Sequence, residues 1–266
     1  MSRDQPTVSI ITPSYNQAEF LEETIQSVLQ QDYPFIEFII VDGGSTDGSL
    51  DIIRSYESQL SSWVSEEDMG QTDAINKGFD MATGDILAWL NSDDTFLPGA
   101  VSSAVDFFDR NPWVGMVYAN AYYIDGEGER IARYPAGPTD YKGLRRGVNT
   151  IPQQTMFFRS ILWDMVGPLD PTFYYAMDYD LWVRIAAVTP IAFHPEYWAH
   201  FRLHSESKSR TAARRCWPEM MRVHFREGGS CFSILYAKYL IRRVVEPIMP
   251  LRIKARAWRY QREQSQ

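Results

Sequence analysis

"VSIITPSYNQAEFLEETIQSVLQQDYPFIEFIIVDGGSTDGS", residues 8–49, carries the pattern that decides the fold. Val8-Ser9-Ile10-Ile11 is a β-branched run of the kind that suits a strand, read here as ending at Pro13. Leu21, Ile25, Val28 and Leu29 then fall on one helical face. Asn16 stands where it can cap that helix, with Glu19 three residues on as its capping-box partner. A second apolar run, Ile36 to Val41, stops at Asp42, and Ser45 or Thr46 suits the cap of a second helix bearing Leu50, Ile53 and Tyr56. Strand, helix, strand, helix in this order predicts a parallel sheet with right-handed crossovers.

The alternation continues outward. A third helix is expected over residues 73–82, a third buried strand over 86–90, and a fourth helix through Val101, Ala104, Val105 and Phe108. After Asn111-Pro112 the pattern changes. Val114 to Tyr118, Ala121 to Ile124, Ile131 to Tyr134 and Thr155 to Phe158 read as shorter strands, with a turn at "DGEGE", residues 125–129. Leu181, Ile185 and Val188 mark a helix starting near Asp178. There is no Pro/Gly/Ser linker and no internal repeat, so the two halves, 1–110 and 111–210, read as one packed domain. Residues 211–266 read as a helical tail. Lys238, Arg242, Arg243, Arg252, Lys254, Arg256, Arg259 and Arg262 face only Glu246 among the acids of 238–262. A basic amphipathic segment suits either an anionic membrane surface or a solvated helix packed on the domain, and Pro247 and Pro250 break any long helix there.

Composition bounds the function. The chain has 266 residues, 45% hydrophobic and 14% aromatic, enough for a large core. Its net charge of −8 argues against nucleic acid as a partner. Cys216 and Cys231 are too few for a disulfide framework or a Cys-rich zinc site. The opening residues lack a signal-peptide pattern, and no stretch reaches the roughly 18 apolar residues of a membrane span. A cytoplasmic setting is therefore expected, with 238–262 as a candidate peripheral contact at the inner membrane face.

In open parallel sheets, ligands bind beyond the carboxyl ends of the strands. Here those ends are polar: Thr12 to Asn16, then Asp42-Gly43-Gly44-Ser45, then Asn91-Ser92-Asp93-Asp94. Two carboxylates ~4 Å apart repel by ~4 kcal/mol at an effective dielectric near 20, so solvent or a cation must relieve Asp93 and Asp94. Neither G-x-G-x-x-G nor a P-loop lysine is present in "DGGSTDG". Acids at these positions repel a bare pyrophosphate, and a divalent cation reverses that sign. Mg²⁺ or Mn²⁺ is typically held by one or two carboxylates plus substrate phosphates, which suits Asp93 and Asp94. Asp42 suits hydrogen bonds from a base or ribose. Each acid alone also suits a turn; their occurrence at successive strand ends favours a site.

Residues 8–49, "EEDMGQTDAINKGFDMATGDILAWLNSDD" at 66–94 and "FYYAMDYDLWVRI" at 173–185 together resemble family 2 glycosyltransferases of bacterial type. The resemblance runs from residue 7 to about 208. It implies the GT-A fold: a Rossmann-like, mainly parallel central sheet flanked by helices, here with a C-terminal helical extension. It implies an inverting, metal-dependent transfer of a single sugar from a nucleotide-diphosphate donor to an acceptor hydroxyl, in cell-surface polysaccharide or glycolipid synthesis. Pro13, Tyr15 and Asp42 then line the nucleoside pocket, and Asp73, Asn76 and Lys77 approach the donor. The D-x-D-type motif maps to Asn91-Ser92-Asp93-Asp94, with Asn91 in place of its first acid. Asp94 is the favoured metal ligand, with Asp93 shared between metal and ribose. Asp178 maps to the catalytic base, and Asp180 is its competitor. His204, in "FRLHSESKS", is a candidate near the diphosphate and metal, with Ser207 and Lys208 in a closing loop. Gln153 and Gln154 are candidates for facing the acceptor. The Gln-x-x-Arg-Trp signature of processive relatives is absent, since Ile185 follows Arg184.

Two rivals are a nucleotidyltransferase making a nucleotide-sugar and a non-catalytic sugar- or nucleotide-binding protein on the same fold. The first needs a Gly-rich basic loop after the first strand, and residues 12–17 contain no Gly, Lys or Arg. Retention of Asp42, Asp93, Asp94 and Asp178 speaks against the second.

Overall fold

The computed structural model describes residues 5–204 and 208–245. Ser207 and residues 246–262 of the basic segment lie outside them. The first half runs β1 (Val8–Ser14), α1 (Leu21–Leu29), β2 (Ile36–Asp42), α2 (Ser49–Tyr56), β3 (Ser62–Ser65), α3 (Gln71–Met81), β4 (Ile86–Trp89), β5 (Thr95–Phe96) and α4 (Ala100–Arg110). Then come β6 (Met116–Ile124), β7 (Arg130–Arg133), α5 (Tyr141–Arg145), β8 (Phe157–Arg159), α6 (Ile161–Val166), α7 (Met177–Val188), β9 (Ile191–Arg202), α8 (Lys208–Arg226) and α9 (Ile234–Val245).

One sheet joins both halves in the order β3-β2-β1-β4-β8-β6-β9-β5, with β7 added on β6. β3, β2, β1 and β4 are parallel, as the alternation requires. β8 runs antiparallel between β4 and β6, and β9 returns parallel to β6. The apolar runs are continuous because both faces of the sheet are covered. Val8 and Ile10 pack with Leu21, Ile25 and Val28 of α1, while Ile11 packs on the other face with Ile75 and Phe79 of α3. α3 lies so close to β1 that a Cβ on Gly78 would sit 2.4 Å from Ile11 Cγ2. Met220 and Val223 of α8 join the second cluster, so this extension packs on the domain.

Three local expectations change. β1 does not stop at Pro13 but runs to Ser14, with Pro13 opposite Val41. Ser14 turns its carbonyl to β2, where Gly43 N donates at 2.8 Å. Alternation then turns Pro13 toward β4, whose last pairing with β1 is Ile11 with Trp89, so the missing N–H breaks no ladder bond. Asn16 caps no helix. It takes a left-handed φ of 51°, its amide N donates to Ser45 Oγ at 2.8 Å, and its Oδ1 accepts from Thr46 N at 2.8 Å. Ser45 is drawn to Asp42 instead, and α2 begins after Gly48.

Candidate active site

A cavity of about 1080 Å³ opens beyond the carboxyl ends of β1, β2 and β4. Its lining includes Pro13, Tyr15, Gly43, Asp68, Asn91, Asp93, Gln153, Gln154, Asp178 and His204. Seven segments of the chain thus converge where a parallel sheet offers its polar ends.

At the β1–β2 end, Pro13 and a 61% exposed Tyr15 face the cavity. Asp42 does not. It is fully buried and accepts four bonds: from Gly44 N at 3.1 Å, Ser45 N at 2.9 Å, Ser45 Oγ at 2.5 Å and Ser65 Oγ at 2.7 Å. Three of these fall on Oδ2 and one on Oδ1, and with no solvent exposure and no share in the cavity lining Asp42 does not meet a base. The expected contact is corrected on that ground: Asp42 closes the loop on which Gly43 and Gly44 are displayed.

α3 points its N-terminal turn at the cavity through Gly70, Gln71 and Ala74. The other three residues expected to approach the donor do not line it. Asp73 accepts from Met69 N at 3.2 Å. Asn76 exchanges two bonds of 2.9 Å with the backbone of Leu169, tying α3 to the loop after α6. Lys77, a turn further on, is paired with Glu66 at 2.5 Å. The helical period puts these side chains off the stripe that carries Gln71 and Ala74.

The loop after β4 resolves the paired aspartates. Asp94 turns inward with no exposure. Its Oδ1 accepts from Arg202 N at 2.9 Å, and its Oδ2 from Gln154 Nε2 at 2.8 Å and Asn91 Nδ2 at 3.3 Å. Burial, and next the Asp93 charge, hold its carboxyl well above the ordinary carboxylate range. Asp93 turns outward into the cavity, its Oδ2 3.1 Å from His204 Nε2. His204 itself rests on Phe20, ring centroids 4.7 Å apart. The carboxylate that reaches the cavity is therefore that of Asp93, which corrects the preference for Asp94. Gln153 donates to Trp89 O at 2.8 Å and accepts from Asn91 Nδ2 at 3.1 Å. Both glutamine side chains thus brace this loop from the floor of the cavity rather than reaching out for an acceptor.

Asp178 lines the cavity from the first turn of α7. Asp180, two residues on, is sealed: it is paired with Arg184 Nε at 2.9 Å and Arg226 NH1 at 2.5 Å. It does not face the cavity. The chain leading into α7 is held from α8. Glu219 accepts from the backbone N–H groups of Tyr174 at 3.1 Å, Tyr175 at 2.7 Å and Ala176 at 2.8 Å. Sequence reading missed Glu219, which no local pattern marks. It also missed Arg202, although it stands two residues before His204.

Among the described residues, no group of three or more His, Cys, Asp or Glu side chains could hold a metal ion unaided. No described helix is long and apolar enough to cross a membrane.

Behind this loop lies His200. It accepts from Arg130 Nε at 3.4 Å through Nε2, which leaves Nδ1–H for Thr95 Oγ1 at 3.1 Å. Burial, then the Arg130 charge, pull its pKa below the ordinary value of 6.5. The unfolded chain therefore takes up this proton at higher pH than the folded chain does. The stability so conferred is complete above the unfolded pKa and is lost as pH falls through it. Urea unfolding between about pH 7.5 and about pH 5.5 should show a smaller acid-side loss in His200→Gln than in the parent. Equal losses would mean that His200 is not the group responsible.

The comparisons with known proteins come to the same place. The model of "Glycosyl transferase family 2" matches residues 9–166. An uncharacterized glycosyltransferase of Rickettsia prowazekii is 31% identical over 215 residues, covering 78% of this chain and 67% of the relative. Among solved structures, S. aureus TarS in complex with UDP-GlcNAc is similar at TM-score 0.66 and 17% identity, over 88% of this chain and 71% of that one. The mannosyltransferase PcManGT from Pyrobaculum calidifontis, in complex with GDP-Man and Mn²⁺, is similar at TM-score 0.65 and 23% identity, over 89% and 70%. The GT-A fold, the paired cleft carboxylates and the family match agree: this chain belongs to glycosyl transferase family 2 and is a glycosyltransferase.

Proposed function

We propose that the protein moves one sugar from a nucleotide-diphosphate donor to an acceptor hydroxyl, with inversion and with the help of a divalent cation. One observation carries the reading. Asp93 and Asp178, from separate elements, line a single cavity together with Pro13 and Tyr15. That set suits a nucleoside against Pro13 and Tyr15, a diphosphate at Asp93 and an acceptor hydroxyl at Asp178.

The donor set fits a cation shared with substrate. Asp93, with His204 beside it, supplies too few ligands for a site made of protein alone, and Mg²⁺ or Mn²⁺ sites usually take substrate phosphates as further ligands. Once bound there, the cation offsets charge on the departing diphosphate. The remaining chemistry belongs to the chain. Asp178 accepts the proton of the acceptor hydroxyl as its oxygen bonds the anomeric carbon. The bond from that carbon to the diphosphate oxygen breaks on the opposite face, so configuration inverts. Transfer of a single sugar is favoured because Arg184 is committed elsewhere, to Asp180 and to the carbonyls of Val166, Gly167 and Pro168. The acceptor class that suits this reading is a saccharide or lipid-linked hydroxyl of cell-surface polysaccharide or glycolipid.

A thermal-shift series with nucleotide diphosphates and their sugars, with and without Mn²⁺, tests it. A donor at a hundredfold excess over its Kd should stabilise the protein by ~2.7 kcal/mol. Asp93→Asn should abolish the Mn²⁺-dependent part of that shift while leaving the protein folded. If no nucleotide moves the melting point even with metal, the donor reading is wrong. If Asp93→Asn keeps the full metal dependence, Asp93 is not the ligand.

A further inference from the structure

We propose that Asp68 reads the base of the donor nucleotide and selects one with a ring imino N–H, as uracil, thymine and guanine have, over cytosine and adenine. This rests on the nucleotide-diphosphate reading above and says which nucleotide.

Asp42 cannot do the reading, because it is fully buried, bonded inside the protein and not part of the cavity lining. The next residue, Gly43, has no side chain, and the space beside it is taken. A Cβ built on Gly43 would lie 2.6 Å from Asp68 Oδ2 and 3.1 Å from Asp68 Oδ1. Under 3 Å no real Cβ fits against a carboxylate this anchored, so a glycine at 43 is what lets Asp68 lie over the end of β2. Asp68 is held there rather than swinging in solvent: its Oδ1 accepts from Gly70 N at 2.8 Å, and the side chain is half-buried. Oδ2 remains on the Gly43 side. Asp68, Gly43 and the exposed ring of Tyr15 all line the same cavity. A flat aromatic face and an in-plane acceptor are the two elements a base site needs.

The charge state sets the choice. An ionised carboxylate only accepts hydrogen bonds. Uracil and thymine present N3–H, and guanine presents N1–H with its amino group alongside. Cytosine N3 and adenine N1 carry lone pairs at the corresponding ring position, and these would face the carboxylate with like polarity. Bonds to a charged partner are stronger than neutral ones, and leaving an acceptor unpaired costs more again.

Titration of UDP, GDP, CDP and ADP in the presence of Mn²⁺ against the full chain tests the proposal. The parent should bind UDP or GDP about tenfold or more tighter than CDP and ADP, and the two favoured arms tell which imino base is preferred. Asp68→Ala should bring all four within about threefold, chiefly by weakening the favoured one. Asp68→Asn, whose amide also donates, should gain on CDP. Gly43→Ala, which displaces the carboxylate, should act like Asp68→Ala. A parent that does not prefer UDP or GDP overturns the proposal, as does a preference that survives Asp68→Ala; the donor reading stands in both cases. If none of the four binds, the donor reading falls and this inference with it.

Discussion

Asp178→Asn is expected to lower donor turnover at least about a hundredfold while leaving nucleotide-diphosphate affinity nearly unchanged. The amide has the size and shape of the carboxylate but does not take a proton from a hydroxyl. The loss should therefore appear in kcat and not in KM. Asp180 does not substitute: it is buried and paired with Arg184 and Arg226, so a substrate does not reach it. The start of α7 is also fixed in place, because Glu219 holds the three N–H groups before it and Arg222 bonds Thr172 O at 3.1 Å from the same helix. Hydrolysis of the donor in the absence of acceptor, followed with Mn²⁺ present, is sufficient as an assay. Turnover within about threefold of the parent would remove Asp178 from the role of base.

Residues 8–49 disclosed the first two strands and helices because both faces of the sheet are covered, which leaves uninterrupted apolar runs between amphipathic helices. The later strands were harder to read. β3 is four residues long and half-buried along its length. β9 passes through His194, Pro195 and Glu196, and its register with β6 shifts near Asn120, so no regular alternation marks it. The polar strand ends revealed that acids gather at one edge of the sheet. They did not reveal which acid of a pair turns outward. For Asp93 and Asp94 that choice is made by Arg202 N and Gln154 Nε2, groups 108 and 60 residues away from Asp94. For Asp42 it is made by Ser65, which the sequence hides in an unrecognised strand. The N-cap expectations failed for a related reason: Asn16 and Ser45 both suit a cap, and both found stronger partners across the β1–β2 loops. Sequence pattern reports residue type and local period, whereas side-chain direction at a site is a long-range property.

Arg202→Met is expected to cost about 2–4 kcal/mol of stability, through backbone carbonyls that lose their donor. The guanidinium is 1% exposed and lies over the ring of Phe20, 4.9 Å from its centroid. It donates to Asp93 O at 2.9 Å, Asp125 O at 3.2 Å and Gly126 O at 3.0 Å, and it pairs with Glu23. Methionine fills much of the volume and keeps the contact with Phe20, but it removes the donor of the Asp93 and Gly126 carbonyls, while Asp125 O keeps Gly128 N at 3.2 Å. Glu23, 54% exposed, can turn to water and costs little. The carbonyls of Asp93 and Gly126, half-buried against the arginine, lose their side-chain donor. Arg202→Lys restores charge but not the fork that reaches all three, so it should recover only a minor part. The exposed pair Arg54–Asp51 serves as a control, because breaking it should change stability by less than about 1 kcal/mol. In urea the Arg202 variants should shift the midpoint with an unchanged slope. The damage should also be functional. Arg202 holds Asp93 O through its side chain and Asp94 Oδ1 through its backbone, so loosening it releases both aspartates at once. Metal-dependent nucleotide binding should weaken well below the unfolding midpoint, where the protein is still folded. A variant that loses under about 1 kcal/mol and binds nucleotide as the parent does would mean that Asp93 and Asp94 are held by Asn91 and Gln154 without Arg202.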